Sequence, residues 1–152
     1  MIDSPTYLNL RLSHVREFLM RNLRPALNRH NVTEQQWRVI HALSHHGAME
    51  FSQLAHHCCI IKASFSSILV RMESVGYISR KKSNSDRRRI IIALKKPGAD
   101  LFLQLSKDMA INQRELKESL GDQRWSSLLL LIDELDRLVL PLESVVPSDR
   151  HP

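Results

Sequence analysis

The chain has 152 residues, and 22 basic against 16 acidic side chains give it a formal net charge of +6. This length predicts one domain with a sizeable core, and the 43% share of hydrophobic residues argues against wholesale disorder. With only four glycines there is no glycine-rich phosphate loop, no GxSxG or HExxH motif occurs, and no apolar run approaches the 18 residues that a membrane span requires.

The N-terminal part of the sequence predicts two helices. Residues 6–29 carry apolar side chains at intervals of three or four, and Pro25 is expected to kink or end this first helix. Thr33 and Gln36 have the spacing of a capping box, which predicts the start of the second helix. Because no basic segment followed by an apolar one stands at the N-terminus, we expect no secretory signal and a cytoplasmic location.

The middle of the sequence alternates short helices with strands. The apolar spacing predicts helices over 52–58 and 62–75, followed by a strand over 77–80. Residues 83–89 are polar and predict a turn. The β-branched, apolar run over 90–94 predicts a second strand, so the two strands should form a hairpin.

The C-terminal part predicts two long helices that Gly121 and Asp122 separate. Pro97 suits the first turn of the first of these helices, and Pro141 and Pro147 should end the ordered structure. Four consecutive leucines occupy 128–131, and they cover more than one face of a single helix. Either the rest of the domain or a partner helix must cover them, and dimerisation is one explanation.

The positive charge is concentrated in one segment. Residues 62–96 contain 10 basic and 2 acidic side chains, whereas residues 97–152 contain 6 basic and 10 acidic ones. Such a cluster is typical of a polyanion-binding site, although a solvated basic face without a partner remains an alternative. Anionic lipid is a third possibility, but the cations bracket a turn between strands rather than one face of an amphipathic helix.

The basic segment contains the parts of a helix-turn-helix, namely the helices over 52–58 and 62–75 with a turn over 59–61. The second helix would enter the major groove of DNA, and a basic hairpin tip beside it would suit the minor groove. The expected outward-facing residues are Lys62, Ala63, Ser64, Ser66, Ser67 and Arg71.

Several motifs resemble those of the MarR family of winged helix-turn-helix transcriptional regulators. Asp86-Arg87-Arg88 is similar to the D-R-R of the family wing, Gly76-Tyr77-Ile78 to its G-L-[VI], and residues 94–98 occupy the place of its L-T-x-x-G. Residues 29–38, 59–62 and 68–73 further resemble a branch of the family that represses genes for homoprotocatechuate (4-hydroxyphenylacetate) degradation.

The resemblance implies a mainly α fold of the α+β winged-helix type, formed by a single MarR-type domain over 1–152. Residues 32–96 would form the winged helix-turn-helix, and residues 6–30 and 97–142 would form dimerisation helices. It also implies a homodimer on a pseudo-palindromic operator in double-stranded DNA. The DNA contacts would come from the outward-facing residues of the helix over 62–75 and from Arg88 in the minor groove. Asp86 and Arg87 would brace the wing.

The resemblance also implies a small-molecule effector, commonly an aromatic carboxylate, bound between the dimerisation helices and the reading head. A carboxylate favours a bidentate arginine, and Arg16 is the best candidate because the similar branch keeps an arginine there. Further candidates are His14, which is near Arg16 in sequence, and Trp37, Arg38 and His41 of the helix that begins after Thr33. Each has a simpler explanation: the arginines could be solvated, and Trp37 could be packed in the core.

A metal sensor is the main alternative. Zinc commonly binds His and Cys, and the sequence contains His45-His46 and His56-His57-Cys58-Cys59. Adjacent residues on one helix point about 100° apart, however, and no CxxC pair is present. We therefore predict no metal or other cofactor. The sequence supports a redox switch through the two cysteines even less than it supports a metal site. No combination of nucleophile, base and orienting group suggests an enzyme.

Overall fold

The computed structural model describes residues 5–139, without the side chains at positions 5, 6, 22, 112 and 139. The predicted end of order at Pro141 and Pro147, and the last three residues of the 97–142 segment, lie outside these residues. The elements in chain order are α1 (Pro5–Arg29), α2 (Glu34–His46), β1 (Met49–Glu50), α3 (Phe51–His57), α4 (Lys62–Ser74), β2 (Ile78–Lys82), β3 (Ile90–Leu94), α5 (Lys96–Leu120) and α6 (Asp122–Val139). This mainly helical fold with a small antiparallel sheet confirms the predicted fold class.

The chain divides into two compact units, with the boundary after residue 112 inside α5. The hydrophobic core lies in the first unit. At its centre are fully buried side chains from α4, β3 and α5, among them Phe65, Leu69, Met72, Ile92 and Leu105. This core holds the helix-turn-helix and the sheet together in one body.

Pro25 does not end the first helix, which continues to Arg29. The proline removes one backbone donor from the helix interior, a loss that usually breaks a helix. Here Leu23, Ala26 and Leu27 are all at most 2% exposed, so the packing of the helix against the core holds the segment helical.

The predicted capping box at the start of α2 is confirmed. The Gln36 backbone N–H donates to Thr33 Oγ1 at 3.2 Å, and the Thr33 backbone N–H donates to Gln36 Oε1 at 2.9 Å. Val32 and Trp37, on either side of the cap, are each 4% exposed. The two hydrogen bonds between Thr33 and Gln36 satisfy backbone donors that the start of the helix would otherwise leave free.

The turn between α3 and α4 depends on a cysteine in a left-handed conformation. The Ile60 N–H donates to the Ala55 carbonyl at 3.1 Å, and Cys59 has a φ of 50°. The same kind of helix ending occurs at Asn31 and Gly76, residues that tolerate positive φ more readily. The turn is therefore strained at Cys59.

The sheet has the strand order β1-β3-β2, and both pairings are antiparallel. Strand β1 was not predicted, because two residues are too short to show an alternating pattern. Strand β2 extends to Lys82, past the predicted end at residue 80, because Lys81 and Lys82 pair with β3 through their backbones while their side chains stay exposed.

Gly98, in the first turn of α5, allows that helix to lie close to the segment before β2. A Cβ added at Gly98 would lie 2.5 Å from the Tyr77 carbonyl oxygen and 2.7 Å from a methyl of Leu94. The Lys95 N–H also donates to the Tyr77 carbonyl at 2.9 Å. Only glycine fits this position without displacing the backbone.

In the second unit, α6 exposes the consecutive leucines that the sequence singled out. Leu130 is 65% exposed and Leu131 is 58% exposed. In the first unit, α1 exposes a second apolar row that includes Leu8, Leu12 and Val15. Among residues 5–139, no helix combines the length and apolar character needed to cross a membrane.

The strain at Cys59 generates a stability prediction. We expect Cys59→Gly to raise the free energy of unfolding by about 1 kcal/mol, because glycine adopts positive φ without a Cβ clash. Urea denaturation would measure the change, with Cys59→Ala as the control that removes the thiol and keeps the Cβ. A glycine variant no more stable than the alanine variant would contradict the assignment of strain to this turn.

Candidate nucleic-acid interface

Helix α4 presents one apolar face to the core and a polar face to solvent. Phe65, Leu69 and Met72 are fully buried, and Ile68 is half-buried. All the residues of this helix that the sequence assigned to DNA are exposed, namely Lys62, Ala63, Ser64, Ser66, Ser67 and Arg71. The core packing therefore leaves this surface available to a ligand.

The wing is the hairpin that β2 and β3 form with their connecting turn. The Ser83 N–H donates to the Arg89 carbonyl at 2.9 Å, which closes the turn. The Arg88 N–H donates to Asp86 Oδ1 at 3.0 Å, and the Arg89 N–H to the Asp86 carbonyl at 2.9 Å. Asp86 thus fixes the backbone of the turn, while Arg87 and Arg88 are exposed at its tip.

An ion pair joins α4 to the wing. Arg80, on β2, donates to Glu73 Oε2 from Nε at 2.8 Å and from Nη2 at 2.6 Å. The Arg80 backbone N–H donates to Glu73 Oε1 at 3.1 Å. The hydrogen bonds from Arg80 hold the pKa of the Glu73 carboxyl below its usual value. The carboxylate therefore fixes the orientation of the wing relative to α4.

Sequence reasoning missed this ion pair, together with Lys81 and Lys82 beside it. The run Arg80-Lys81-Lys82 was visible as three consecutive cations. Its position next to α4 was not visible, since the pairing of Arg80 with Glu73 requires the helix and the strand to be packed together.

A chain of ion pairs links α1, α2 and the turn before α4. Arg16 of α1 contacts Glu34 of α2, and Arg38 Nη2 lies 2.6 Å from the same carboxylate oxygen. Arg38 Nη1 donates to the Cys58 carbonyl at 3.2 Å, at the end of α3. Together with Glu17 and Arg24, which are described next, Arg16, Glu34 and Arg38 form a set that we call the arginine–glutamate chain.

The arginine–glutamate chain continues along α1 through Glu17. Arg16 contacts Glu17 at 3.2 Å, and Arg24 binds both oxygens of Glu17 at 2.7 and 2.8 Å. The hydrogen bond from Arg24 lowers the pKa of Glu17, so this carboxyl is ionised at neutral pH. Three arginines therefore share two glutamates, which leaves one positive charge unbalanced.

Two further effector candidates, Trp37 and His41, belong to an aromatic cluster. Trp37 is 4% exposed and stacks on Phe102, with ring centroids 5.7 Å apart and 12° between the planes. The ring of His41 lies 5.8 Å from Trp37 and 4.2 Å from His45. Burial lowers the pKa of His41, and the neighbouring His45 and His46 lower it further. The neutral imidazole can offer a hydrogen bond or an aromatic face, but not a charge.

The remaining candidate, His14, lies on α1 with Glu17, Phe18, Arg21 and Arg24, which line an open groove of about 530 Å³. The structure thus joins Arg16 to Arg38 through Glu34, and Trp37 to His41 through ring contacts. His14 shares its groove with the α1 end of the arginine–glutamate chain.

Within residues 5–139, the side chains form no group of three or more His, Cys, Asp or Glu that could hold a metal ion. The adjacent cysteines differ sharply in environment. Cys58 is 1% exposed, and burial raises the pKa of its thiol to about 12, whereas Cys59 is exposed. Cys58 is therefore unreactive as a thiolate at neutral pH.

The geometry defines a class of protein. A helix-turn-helix, a following two-stranded wing, and exposed cations on both are the parts of a winged helix-turn-helix DNA-binding protein. The sequence pattern of the MarR family matches residues 32–90, from α2 to the beginning of β3.

Relatives with known names agree with this class. The HTH-type transcriptional regulator FarR of Neisseria gonorrhoeae is 34% identical over 90% of this chain and 94% of its own. The homoprotocatechuate degradative operon repressor of Escherichia coli is 32% identical over 95% of this chain and 97% of its own. The solved structure of NadR in complex with 4-hydroxyphenylacetate is similar with a TM-score of 0.78 and 36% identity, over 86% of this chain and 91% of NadR. The chain belongs to the MarR family of transcriptional regulators.

The ion pair between α4 and the wing generates a pH prediction. Because the pKa of Glu73 is lowered in the folded state, its contribution to stability is present above its unfolded pKa and is lost as the pH falls through the folded value. We expect Glu73→Gln to be less stable than the wild type at pH 7, and the difference to shrink at pH 3.5. Urea denaturation at both pH values would measure it, with Glu118→Gln as an exposed control. An equal difference at both pH values would contradict the role of the ionised carboxylate.

Proposed function

We propose that this MarR-family regulator represses genes for aromatic-acid catabolism and is released from its operator by an aromatic carboxylate. The names of two relatives support the proposal: one represses a homoprotocatechuate degradative operon, and NadR forms a complex with 4-hydroxyphenylacetate. The regulator would act on DNA in the cytoplasm. Its relatives are transcriptional regulators, and we propose no enzymatic activity.

On the DNA side, we propose that α4 enters the major groove and the wing enters the adjacent minor groove. Arg88 would be the minor-groove residue, since the negative potential there favours arginine. Asp86 and Arg87 would brace the wing, Asp86 through its hydrogen bonds within the turn. The α4 contacts would come from the exposed face described above, that is Lys62, Ala63, Ser64, Ser66, Ser67 and Arg71.

We further propose that the protein is a homodimer, with dimerisation helices over 6–30 and 97–142. The apolar rows that α1 and α6 expose support this, because a second copy would remove them from water. Two reading heads would then contact a pseudo-palindromic operator, with half-sites about 34 Å apart on one face of the duplex.

The observation that carries the effector proposal is the charge balance of the arginine–glutamate chain. Three guanidinium groups share two carboxylates, and a monoanionic acid would supply the missing negative charge. Arg16 and Arg38 would bind the effector carboxylate, and His14, Trp37 and His41 would contribute polar or aromatic contacts. Arginine suits this role because it can bind a carboxylate through two parallel hydrogen bonds.

The arginine–glutamate chain also supports a mechanism by which the effector releases the protein from DNA. Arg38 donates to the Cys58 carbonyl, which ends α3 immediately before the turn to α4. An acid that draws Arg38 or Arg16 away from Glu34 would disturb this contact. The effector would thereby favour a dimer whose reading heads have the wrong separation for successive major grooves. Zinc sensing is a weaker candidate, because no suitable ligand group occurs among residues 5–139.

The DNA proposal predicts a steep salt dependence. If about 4 phosphates are contacted per subunit, the affinity for operator DNA should fall with salt at a log–log slope of about −7. We expect Arg88→Ala to weaken binding by about tenfold, as for the loss of a specific DNA contact, without changing the unfolding midpoint. Fluorescence anisotropy would measure the salt slope and the loss of operator affinity. Arg124→Ala, which removes an exposed arginine of α6, is the control. An affinity for DNA that does not depend on salt would contradict the proposed phosphate contacts, and an unchanged affinity of Arg88→Ala would remove the wing from the interface.

The effector proposal is tested on a preformed operator complex. We expect 4-hydroxyphenylacetate, homoprotocatechuate or a hydroxycinnamate to release the DNA, and the neutral 4-hydroxyphenylacetamide to leave the complex intact, because only the acids carry the required charge. Zn²⁺ and a chelator form separate arms of the titration. Release by zinc or by the chelator alone would replace the aromatic acid with a metal as effector.

Removing Glu34 tests whether the acid binds at the arginine–glutamate chain itself or is only attracted by the positive charge of the protein. We expect Glu34→Gln to lower the acid concentration needed for release by up to about fivefold, the factor that corresponds to the loss of about 1 kcal/mol of ion-pair attraction. The acid would then no longer compete with Glu34 for Arg16 and Arg38. Glu118→Gln, which removes an exposed carboxylate of α5, should leave the response unchanged. If both variants respond to the acid like the wild type, the arginine–glutamate chain is not the effector site.

A further inference from the structure

A large apolar side chain lies at the start of the candidate reading helix. Ile61 is the N-cap residue of α4 and is 77% exposed, more than any other large apolar side chain described between residues 5 and 139. It directly precedes Lys62, which is exposed on the proposed DNA-facing surface. Ile61 was not among the DNA-contacting residues that the sequence predicted.

Isoleucine is a poor choice for the stability of this helix. Ser, Thr, Asp and Asn favour the N-cap because they accept a hydrogen bond from the first turn, and Thr33 does so for α2. Ile61 makes no side-chain cap, and the first turn of α4 contains no acidic residue. The position thus combines a missing cap with an exposed aliphatic group, which indicates a role in recognition rather than in stability.

The surroundings of Ile61 select the chemistry of its partner. The neighbouring exposed groups of α4 are the cation of Lys62, the single methyl of Ala63 and the hydroxyl groups of serines. The cation and the hydroxyl groups suit phosphates and the polar edges of bases. The thymine 5-methyl is the apolar group that the major groove presents, and apolar side chains distinguish thymine through it. An aliphatic side chain at the leading end of a helix in that groove therefore matches thymine.

We infer that Ile61 is a specificity-determining residue that packs against the 5-methyl group of a thymine in each operator half-site. This inference rests on the proposed binding of DNA by α4. It adds a requirement for thymine at one position of each half-site, which the charged and hydroxyl-bearing residues of the helix do not impose.

The test removes the methyl group from the DNA and the side chain from the protein. The wild-type chain of 152 residues would first select duplexes from a random library. Each thymine of the selected site would then be replaced by deoxyuridine. At one thymine per half-site we expect the replacement to weaken wild-type binding by about fourfold, the factor expected for one buried methyl-sized group. For Ile61→Ala, the same replacement should have no effect.

Two further variants sharpen the test. Val75→Ala removes another exposed aliphatic side chain, 58% exposed, at the opposite end of α4, and it should keep the wild-type response to deoxyuridine. Ile61→Ser introduces an N-cap hydroxyl, so it should raise the unfolding midpoint while abolishing the response to the methyl group. A gain in stability with loss of methyl recognition would exclude unfolding as the cause.

The inference fails if no thymine shows a methyl effect that depends on Ile61. It also fails if Ile61→Ala dissociates the dimer in light scattering, because the side chain would then be an intersubunit contact. Failure of the proposed function has a different appearance: wild-type protein would select no common sequence and would show no salt-dependent affinity for duplex DNA.

Discussion

The candidate DNA-binding surface depends on the packing of one face of α4. Phe65, Leu69 and Met72 insert from α4 into the core and are fully buried. Their burial fixes the rotation of the helix about its axis, so the candidate DNA-contacting residues on the opposite side of α4 face outward. The Glu73–Arg80 ion pair then fixes the wing relative to the same helix. Because both contacts lie within one compact unit, the helix and the wing can approach DNA as a single rigid element.

The arginine–glutamate chain connects this element to α1. Glu34 lies in the first turn of α2, where a carboxylate is also favoured by the helix dipole. Its contacts with Arg16 and Arg38 bring charges from two helices to one point, and Arg38 extends the connection to the end of α3. The proposed effector would therefore act on a contact that lies one short turn away from α4.

Local signals allowed much of the fold to be predicted. The capping box at Thr33 and the apolar strand over 90–94 are encoded by neighbouring residues, and the structure has both. The helix over 62–75 was predicted to within one residue, since α4 ends at Ser74. The possibility that Pro25 ends the first helix was wrong, because the burial of the residues around it depends on tertiary packing.

The features that sequence reasoning missed depend on contacts between distant segments. Strand β1 exists only through its pairing with β3, and the stacking of Trp37 on Phe102 joins residues far apart in the chain. The sharing of Glu34 by two arginines likewise requires α1 and α2 to be adjacent. The candidate DNA-binding residues could be proposed because they follow one another along a helix and a turn. Their contacts with DNA, like those of the effector residues, remain predictions.

Gly98 has a consequence for the exchange of parts between related regulators. The wing and α5 meet in a contact between main chains, in which the Tyr77 carbonyl oxygen lies 2.5 Å from the place that a Cβ at position 98 would take. Side chains in the hairpin tip can vary without affecting that contact. A chimera that receives a foreign wing should therefore keep its architecture as long as the graft preserves the glycine and the backbone path beneath it.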